Sequence, residues 1–320
     1  MPTASKVDRQ RFATREKWLE ARRHWVGGSD IAAVMSADPF RSPIDVWLDK
    51  RGEKFDAAAT EQMRWGNRLE AAIVDGYAED FGRPCVKPRP FSVYSRVGYP
   101  GAATPDAFVE LPAEEIARIF EARGRSAPPE IKTGGVLQIK NTGEWSADDW
   151  EPEPPLRVLL QLQHEMACTG AQWGTAAALI GGNRLVAYDD VYRPGLQMKM
   201  AEAIREFWQH VENGTLPPID GSAACTRALH SLYADETPGL RVVLSDELVA
   251  LDARLQEIRE RGKALNAERV AIENQIKAAL EDAEFGELPG GVVYSWRVEP
   301  RKAYSVEASR PRVLRRIVAK

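Results

Sequence analysis

The stretch GGVLQIKN, residues 134–141, decides the fold of this chain. Two glycines break the chain before an apolar run whose length is typical of a buried strand. On a strand, residues i and i+2 share a face, so Gln138 and Lys140 point to one side while Ile139 packs behind them. The stretch predicts a core strand with one polar face and with the Ile139 carbonyl turned toward that face.

Upstream of this strand, Asp106 follows Pro105 at the end of a short β-prone run, 32 residues before Gln138. Hydrolysis of a phosphodiester at neutral pH needs a divalent metal ion held by two or three oxygen ligands, and a cation near the attacking water or the phosphate. Asp106, Gln138 and the Ile139 carbonyl offer the oxygens, and Lys140 offers the cation. These residues predict a metal-dependent phosphodiesterase site.

A second carboxylate-x-lysine spacing lies close by, at Glu130 and Lys132. It follows Pro128-Pro129 and precedes Thr133-Gly134-Gly135, a context that is less typical of a core strand. We therefore favour Gln138 as the ligand. If Glu130 is the ligand instead, Lys132 takes the place of Lys140.

The flanking sequence alternates between helical and strand patterns, which predicts an α/β fold rather than an all-α fold or a β-sandwich. The insert 111–129 is predicted to be a surface excursion, and the strands around 91–94 and 107–109 to form a meander. The remaining predicted elements are an amphipathic helix over 63–81, a helix over 156–169, a hairpin of strands 176–180 and 185–188, and a helix over 194–214.

After Pro217-Pro218 the pattern changes, and we predict a first domain over 1–218, a linker over 219–243 and a third region over 244–320. From Leu248 to Ile276, apolar residues recur at steps of three and four, which predicts a long helix or a helical hairpin bent at Gly262. A β-prone run and a basic tail follow, with eight basic and two acidic residues over 297–320.

Composition excludes several classes of protein. The 320 residues are 44% hydrophobic and 28% charged, which excludes a disordered chain. Three dispersed cysteines exclude a four-cysteine zinc or iron–sulfur site within one chain. The net charge of −4 indicates no global field that would attract nucleic acid. No apolar run approaches the roughly 20 residues of a membrane span, so we expect a soluble, cytoplasmic protein with no membrane contact.

Five segments, in order, resemble the YqaJ-type viral recombinase family, the branch of the PD-(D/E)xK nucleases that includes phage lambda exonuclease. They are GGSDIAAVM at 27–35, WGNRLE at 65–70, ATPDA at 103–107, LQIKN at 137–141 and QLQHEMACTG at 161–170. The resemblance implies a restriction-endonuclease-like mixed central sheet flanked by helices. It also implies an exonuclease that uses Mg²⁺ or Mn²⁺, with two ions, to digest linear double-stranded DNA from 5′ to 3′ and so make single-stranded overhangs for phage-type recombination.

The resemblance also assigns roles to residues at matching positions. Glu70 matches a helix-borne acid near the metals, Asp106 the central ligand, and Lys140 the lysine that orients water and stabilises the transition-state charge. Gln161 resembles the glutamine of a Q-x-Q helix near the active site. Ser29 resembles a 5′-phosphate-binding serine, and Arg22, seven residues earlier, its arginine partner. An arginine beside a hydroxyl at a helix start is also a sound anion site on physical grounds.

The chain departs from the family at Gln138, where an acid is the commonest residue. A glutamine oxygen can ligate Mg²⁺ but brings no charge, so one ion should bind more weakly. On the same side of the helix as Gln161, His164 is either a neighbour of the active site or a satisfied core histidine.

The resemblance further implies a homo-oligomer, with a trimeric ring as one form, a single-strand annealing recombinase as partner, and a phage or prophage gene in a bacterial host. One alternative is a RecB-like nuclease, although relatives with an iron–sulfur cluster need four cysteines. The other alternative is a DNA-end-binding or recombinase-loading protein in which Gln138 marks weak or lost activity.

Overall fold

The computed structural model describes residues 6–53, 60–300, 312 and 314–316. Its contacts divide the chain into two compact units, Met1–Tyr233 and Ala234–Lys320. None of the helices in these described ranges is long and apolar enough to cross a membrane.

The helices are α1 (Arg15–Ala21), α2 (Ile31–Val34), α3 (Pro43–Lys50), α4 (Glu61–Asp80), α5 (Ala113–Ala122), α6 (Leu156–Thr169), α7 (Pro194–Asn213), α8 (Ala223–Leu232) and α9 (Glu247–Leu280). The strands are β1 (Val7–Arg11), β2 (Cys85–Val86), β3 (Ser92–Arg96), β4 (Ala102–Ala103), β5 (Ala107–Glu110), β6 (Gly134–Thr142), β7 (Trp173–Ile180), β8 (Arg184–Val191), β9 (Phe285–Glu287) and β10 (Val293–Ser295).

The first unit is built on a mixed sheet in the order β2-β5-β6-β7-β8. Strands β6 and β7 are parallel and the other neighbours are antiparallel. The apolar run in β6 explains its central place, because a strand that is covered on both faces needs apolar side chains on both. Leu137 and Ile139 pack toward α4 and α5, while Val136 packs toward α6. The mixed sheet flanked by helices confirms the predicted fold class.

Two local predictions were wrong. Residues 113–122 are not a surface excursion but helix α5, whose Ile116, Ile119 and Phe120 are buried against the sheet. Their i, i+3 and i+4 spacing is the ordinary sign of an amphipathic helix. The predicted meander is also divided between two sheets, because β3 pairs with β1 and β4 while β5 pairs with β2 and β6.

The predicted linker 219–243 begins too early. Helix α8 follows a Ser222 cap and buries Ala224, Cys225 and Ala228 in the core of the first unit. These apolar contacts extend the first unit to Tyr233.

In the second unit, α9 runs for 34 residues and continues through Gly262, so the long helix is confirmed and the helical hairpin is not formed. Strands β9 and β10 make an antiparallel hairpin after it. Most of the basic tail, residues 301–311, 313 and 317–320, lies outside the described residues.

Candidate active site

A cavity of about 840 Å³ opens in the first unit, where β5 begins and β6 ends. It gathers residues from α4, from β4 and the turn that leads into β5, from β6, from α6 and from the segment that precedes α2. The predicted site residues that line it are Arg22, Ser29, Glu70, Asp106, Gln138, Ile139, Lys140 and Gln161.

Asp106 comes directly before β5, and the strand register explains its position. Ala107 pairs with Leu137, so Asp106 lies opposite Gln138 on β6. Its Oδ2 accepts hydrogen bonds from the Ile139 backbone N–H at 2.7 Å and from Gln138 Nε2 at 2.6 Å. Desolvation raises the pKa of Asp106 to about 6, against the lowering effects of Lys140 and of the Ile139 N–H.

The side-chain amide of Gln138 points its nitrogen, not its oxygen, toward this carboxylate. Gln138 Nε2 donates to Asp106 Oδ2 and also to the Ile139 carbonyl oxygen at 3.1 Å. These two oxygens therefore converge on one donor. They are the pair that the sequence predicted to face a metal ion.

Lys140 lies two residues further along the same face of β6 and is fixed by α6. Its Nζ donates to Gln161 Oε1 at 2.9 Å, and Gln161 Nε2 donates to Gln138 Oε1 at 2.7 Å. Burial lowers the pKa of Lys140, whereas the negative charge of Asp106 raises it. The strand spacing and one glutamine amide thus place the amine beside the acid.

Glu70 approaches from α4, across the cavity from α6. The residue as a whole is exposed, but partial burial raises the pKa of its carboxyl group, while Lys87 and Lys140 lower it. Glu70 is an acid at the cavity mouth rather than a member of the hydrogen-bonded cluster on β6.

Sequence reasoning did not single out Glu165, which also lines the cavity. It lies one turn after Gln161 on α6, is only 1% exposed, and accepts from Gln161 Nε2 at 3.0 Å through Oε1. Burial raises the pKa of Glu165 well above its ordinary value, and Asp106 raises it further. The i, i+4 spacing from Gln161 was the signal that could have identified it.

At the other end of the cavity, Arg22 and Ser29 form a pocket. Arg22 Nη2 donates to Ser29 Oγ at 3.1 Å, and its guanidinium stacks on the ring of Trp18 at 4.8 Å. Behind Ser29, the buried Asp30 binds Lys50 Nζ at 2.8 Å. An exposed hydroxyl beside a held guanidinium is suited to an anion such as a terminal phosphate.

The sequence is similar to a known protein family and to a protein of Bacillus subtilis. Residues 17–172 match the model of the YqaJ-like viral recombinase domain. We call this matched segment, 156 of the 320 residues, the YqaJ-like domain. The chain is also 27% identical over 282 residues to the uncharacterized protein YqaJ of Bacillus subtilis (strain 168), covering 85% of this chain and 80% of that one.

Two solved structures are similar to the chain at lower identity. The alkaline exonuclease LHK-Exo from Laribacter hongkongensis is 17% identical, covers 68% of this chain and 99% of its own, and has a TM-score of 0.45. The complex of LHK-Exo with dAMP is 18% identical over 68% of this chain and 98% of its own, with the same TM-score.

The alternatives within the YqaJ-like domain lie apart from the cavity lining. Glu130 and Lys132 are exposed and precede β6, where Lys132 Nζ donates to the Gly170 carbonyl oxygen at 3.2 Å. His164 is fully buried: it accepts from the Tyr99 hydroxyl at 2.9 Å and donates through Nε2 to the Ala102 carbonyl oxygen at 3.2 Å. Burial lowers the pKa of His164 to about 4, so it is a neutral core residue at pH 7.

The donor set of the YqaJ-like domain fits a divalent cation. The Asp106 carboxylate and the Ile139 carbonyl converge on one point, and oxygen is the ligand atom that Mg²⁺ prefers. Within the described residues, no group of three or more His, Cys, Asp or Glu side chains could hold a metal ion. A site here would therefore depend on backbone and amide oxygens as well as on carboxylates.

Proposed function

We propose that the chain is a metal-dependent exonuclease acting on the ends of linear duplex DNA. The observation that carries the proposal is the shared cavity, in which the Asp106–Lys140 cluster and the Arg22–Ser29 pocket both take part. A carboxylate, a converging carbonyl and a lysine suit phosphodiester hydrolysis, while the pocket suits a terminal phosphate. The family of residues 17–172 supports the same chemistry.

In this proposal, Asp106 and the Ile139 carbonyl hold Mg²⁺ or Mn²⁺, with Glu70 offering a further carboxylate. When bound, the ion polarises the scissile phosphodiester and makes a water molecule more acidic. Lys140, held by Gln161, orients that water and stabilises the negative charge of the transition state. Arg22 and Ser29 hold the 5′-phosphate, which fixes the end of the strand relative to the cluster.

The test compares digestion of a linear, 5′-phosphorylated duplex with that of a closed circle of the same sequence. We expect loss of the linear DNA alone, in Mg²⁺ and not in EDTA, and no loss with Asp106→Ala. Label at the 5′ or the 3′ end reports the polarity, which we propose to be 5′ to 3′. No digestion by a folded wild-type protein would overturn the proposal.

One observation favours a second function, a DNA-end-binding or recombinase-loading protein. The Gln138 amide nitrogen occupies the point on which the Asp106 and Ile139 oxygens converge. Gln138→Glu separates the two functions: a gain of Mg²⁺-dependent digestion from none supports the binding protein, whereas digestion already present in the wild type supports the enzyme.

The wider setting also remains a proposal. It comprises a second metal ion, overhangs used for recombination, a single-strand annealing recombinase as partner, and assembly into a homo-oligomer such as a trimer. Light scattering of the purified protein, with and without duplex DNA, measures its molar mass and therefore the number of chains in the oligomer.

A further inference from the structure

Glu165 is a buried carboxylate that is only partly satisfied. Its Oε1 accepts from Gln161 Nε2, but Oε2 is buried and has no hydrogen-bond partner within the described part of the chain. Buried carboxylates elsewhere in the same unit are paired: Asp190 with Arg193, and Asp30 with Lys50. An unpaired buried carboxylate oxygen costs free energy, so its retention beside the cavity points to a cationic ligand.

The side-chain amide of Gln161 connects Glu165 to Gln138, the neutral residue at the position where the family most often has an acid. Gln161 Nε2 donates both to Gln138 Oε1 at 2.7 Å and to Glu165 Oε1 at 3.0 Å. On its other side, Gln138 contacts the Asp106 carboxylate and the Ile139 carbonyl. The Glu165 carboxyl group is therefore linked to the neutral Gln138 side chain of β6 through one hydrogen-bonded residue, Gln161.

The chain also makes room for this carboxylate. A Cβ atom at Gly28 would lie 2.9 Å from Glu165 Oε1 and 3.3 Å from Gln161 Cγ, so a larger residue there would push on both. Gly28 directly precedes Ser29, which forms a pocket with Arg22. The segment before α2 thus closes on Glu165 from one side while Gln161 holds it from the other.

We propose that Glu165 ionises when a cation binds and so supplies, from helix α6, the negative charge that position 138 lacks, and that it sets the affinity of the cation site through Gln161 and Gln138. This inference rests on the proposed function, since it concerns the same metal site. Glu165 is in this sense a positioning and charge-supplying residue, which acts through its neighbours.

The test is a Mn²⁺ titration of the purified, full-length protein without DNA, by calorimetry or by electron paramagnetic resonance of the unbound ion. We expect Glu165→Gln to weaken Mn²⁺ binding by about 10-fold or more, the usual range for an outer partner of a metal site. The double variant Gln138→Glu with Glu165→Gln has the wild-type charge, and we expect its Kd within about threefold of the wild type.

Glu114→Gln is the matched control, because it makes the same chemical change at an exposed acid outside the cavity lining. Its Kd should equal that of the wild type. A thermal melt measures whether each variant is folded. If the role of Glu165 were only structural, Glu165→Gln would lower the melting temperature without changing the Kd for Mn²⁺, and Gln138→Glu would not restore the melting temperature.

A Kd for Glu165→Gln within twofold of the wild type overturns the inference, as does a wild type that binds no Mn²⁺. The proposed function is tested separately by digestion. A wild type that digests linear DNA while Glu165→Gln binds Mn²⁺ normally would leave the nuclease standing and remove only the role of Glu165. Normal wild-type binding with no digestion would remove the nuclease instead.

Discussion

Asp30 is buried and Asp106 is half-buried in the first unit, and their pKa values are shifted in opposite directions. Burial alone raises the pKa of Asp30, but Lys50 and Arg41, at 2.8 Å and 2.9 Å, outweigh it and lower the pKa. Asp106 has an amide and a backbone N–H as its hydrogen-bond donors, and its pKa is raised to about 6.

The difference separates a structural charge cluster from a functional one. Around Asp30 the negative charge is already compensated by cations, so the cluster holds the segment that carries Ser29. Around Asp106, the acids Glu165 and Glu70 face two lysines, Lys140 and, on the side of Glu70, Lys87. Carboxyl groups that outnumber the nearby cations in a desolvated cavity ionise when a divalent cation binds, and that excess of carboxyl groups makes the Asp106 cluster the candidate metal site.

Asp106→Asn should have the largest effect of the variants considered, and that effect should be on activity rather than on stability. We expect the rate of digestion of linear duplex DNA to fall at least about 1000-fold, or about 4 kcal/mol in activation free energy. The free energy of unfolding should stay equal or rise, because the Asn oxygen can accept the same two hydrogen bonds and a buried charge is removed. Initial digestion rates and urea unfolding at pH 7 measure the two quantities. A loss of stability with unchanged digestion would reverse the roles assigned to the two clusters.

Asp30→Asn should give the opposite result. Lys50, whose side chain is 1% exposed, is then buried without its counter-charge, and the free energy of unfolding should fall by about 3–5 kcal/mol. The control is Asp49→Asn, since Asp49 also pairs with Lys50, at 3.7 Å, but is exposed. We expect its effect to be within about 0.5 kcal/mol of zero. Equal effects of the two variants in urea unfolding would show that the Asp30 cluster is not a stabilising one.

These two clusters also differ in how far sequence could predict them. The alternation of side chains along a strand placed Gln138 and Lys140 on one face, and the Pro105-Asp106 turn placed the acid nearby. The pairing of Asp30 with Lys50 joins the start of α2 to the end of α3, 20 residues later, and depends on helix packing that no local pattern encodes.

Glu165 and α5 show two further limits. The acid was present within a recognised segment, but its burial depends on the approach of Gly28, which is a tertiary contact. Helix α5, in contrast, had a readable spacing of Ile116, Ile119 and Phe120. We nevertheless interpreted residues 111–129 as a surface excursion, whereas the helix is buried against the sheet.

Arg22→Lys tests recognition of a terminal phosphate by the Arg22–Ser29 pocket, which adjoins the Asp30 cluster. An ammonium group cannot reproduce the planar stacking on Trp18 together with the bond to Ser29, so recognition of a terminal phosphate should weaken. We expect the preference for 5′-phosphorylated over 5′-hydroxyl duplex to fall about 10-fold, the effect of one hydrogen bond to a charged group. Arg23→Lys, at the exposed neighbouring position, is the control and should keep the preference. Unchanged preference in Arg22→Lys would remove Arg22 from the phosphate pocket.

The smallest expected effect is the pH dependence of stability contributed by Asp30. Its pKa in the folded protein lies below the ordinary value of 3.8, so the unfolded chain binds the proton more readily. The stabilisation is therefore complete only well above pH 3.8 and is lost progressively as the pH falls through that value, by up to about 1.4 kcal/mol per pH unit. Urea unfolding at about pH 6, 4 and 3 measures the difference in free energy of unfolding between the wild type and Asp30→Asn. That difference should fall only slightly between pH 6 and 4 and more clearly at the lowest pH, because only in the wild type does the unfolded chain take up a proton at position 30, while the folded chain keeps its charge beside Lys50 and Arg41. A difference that stays constant down to the lowest pH would mean that the two cations stabilise the fold without the Asp30 charge.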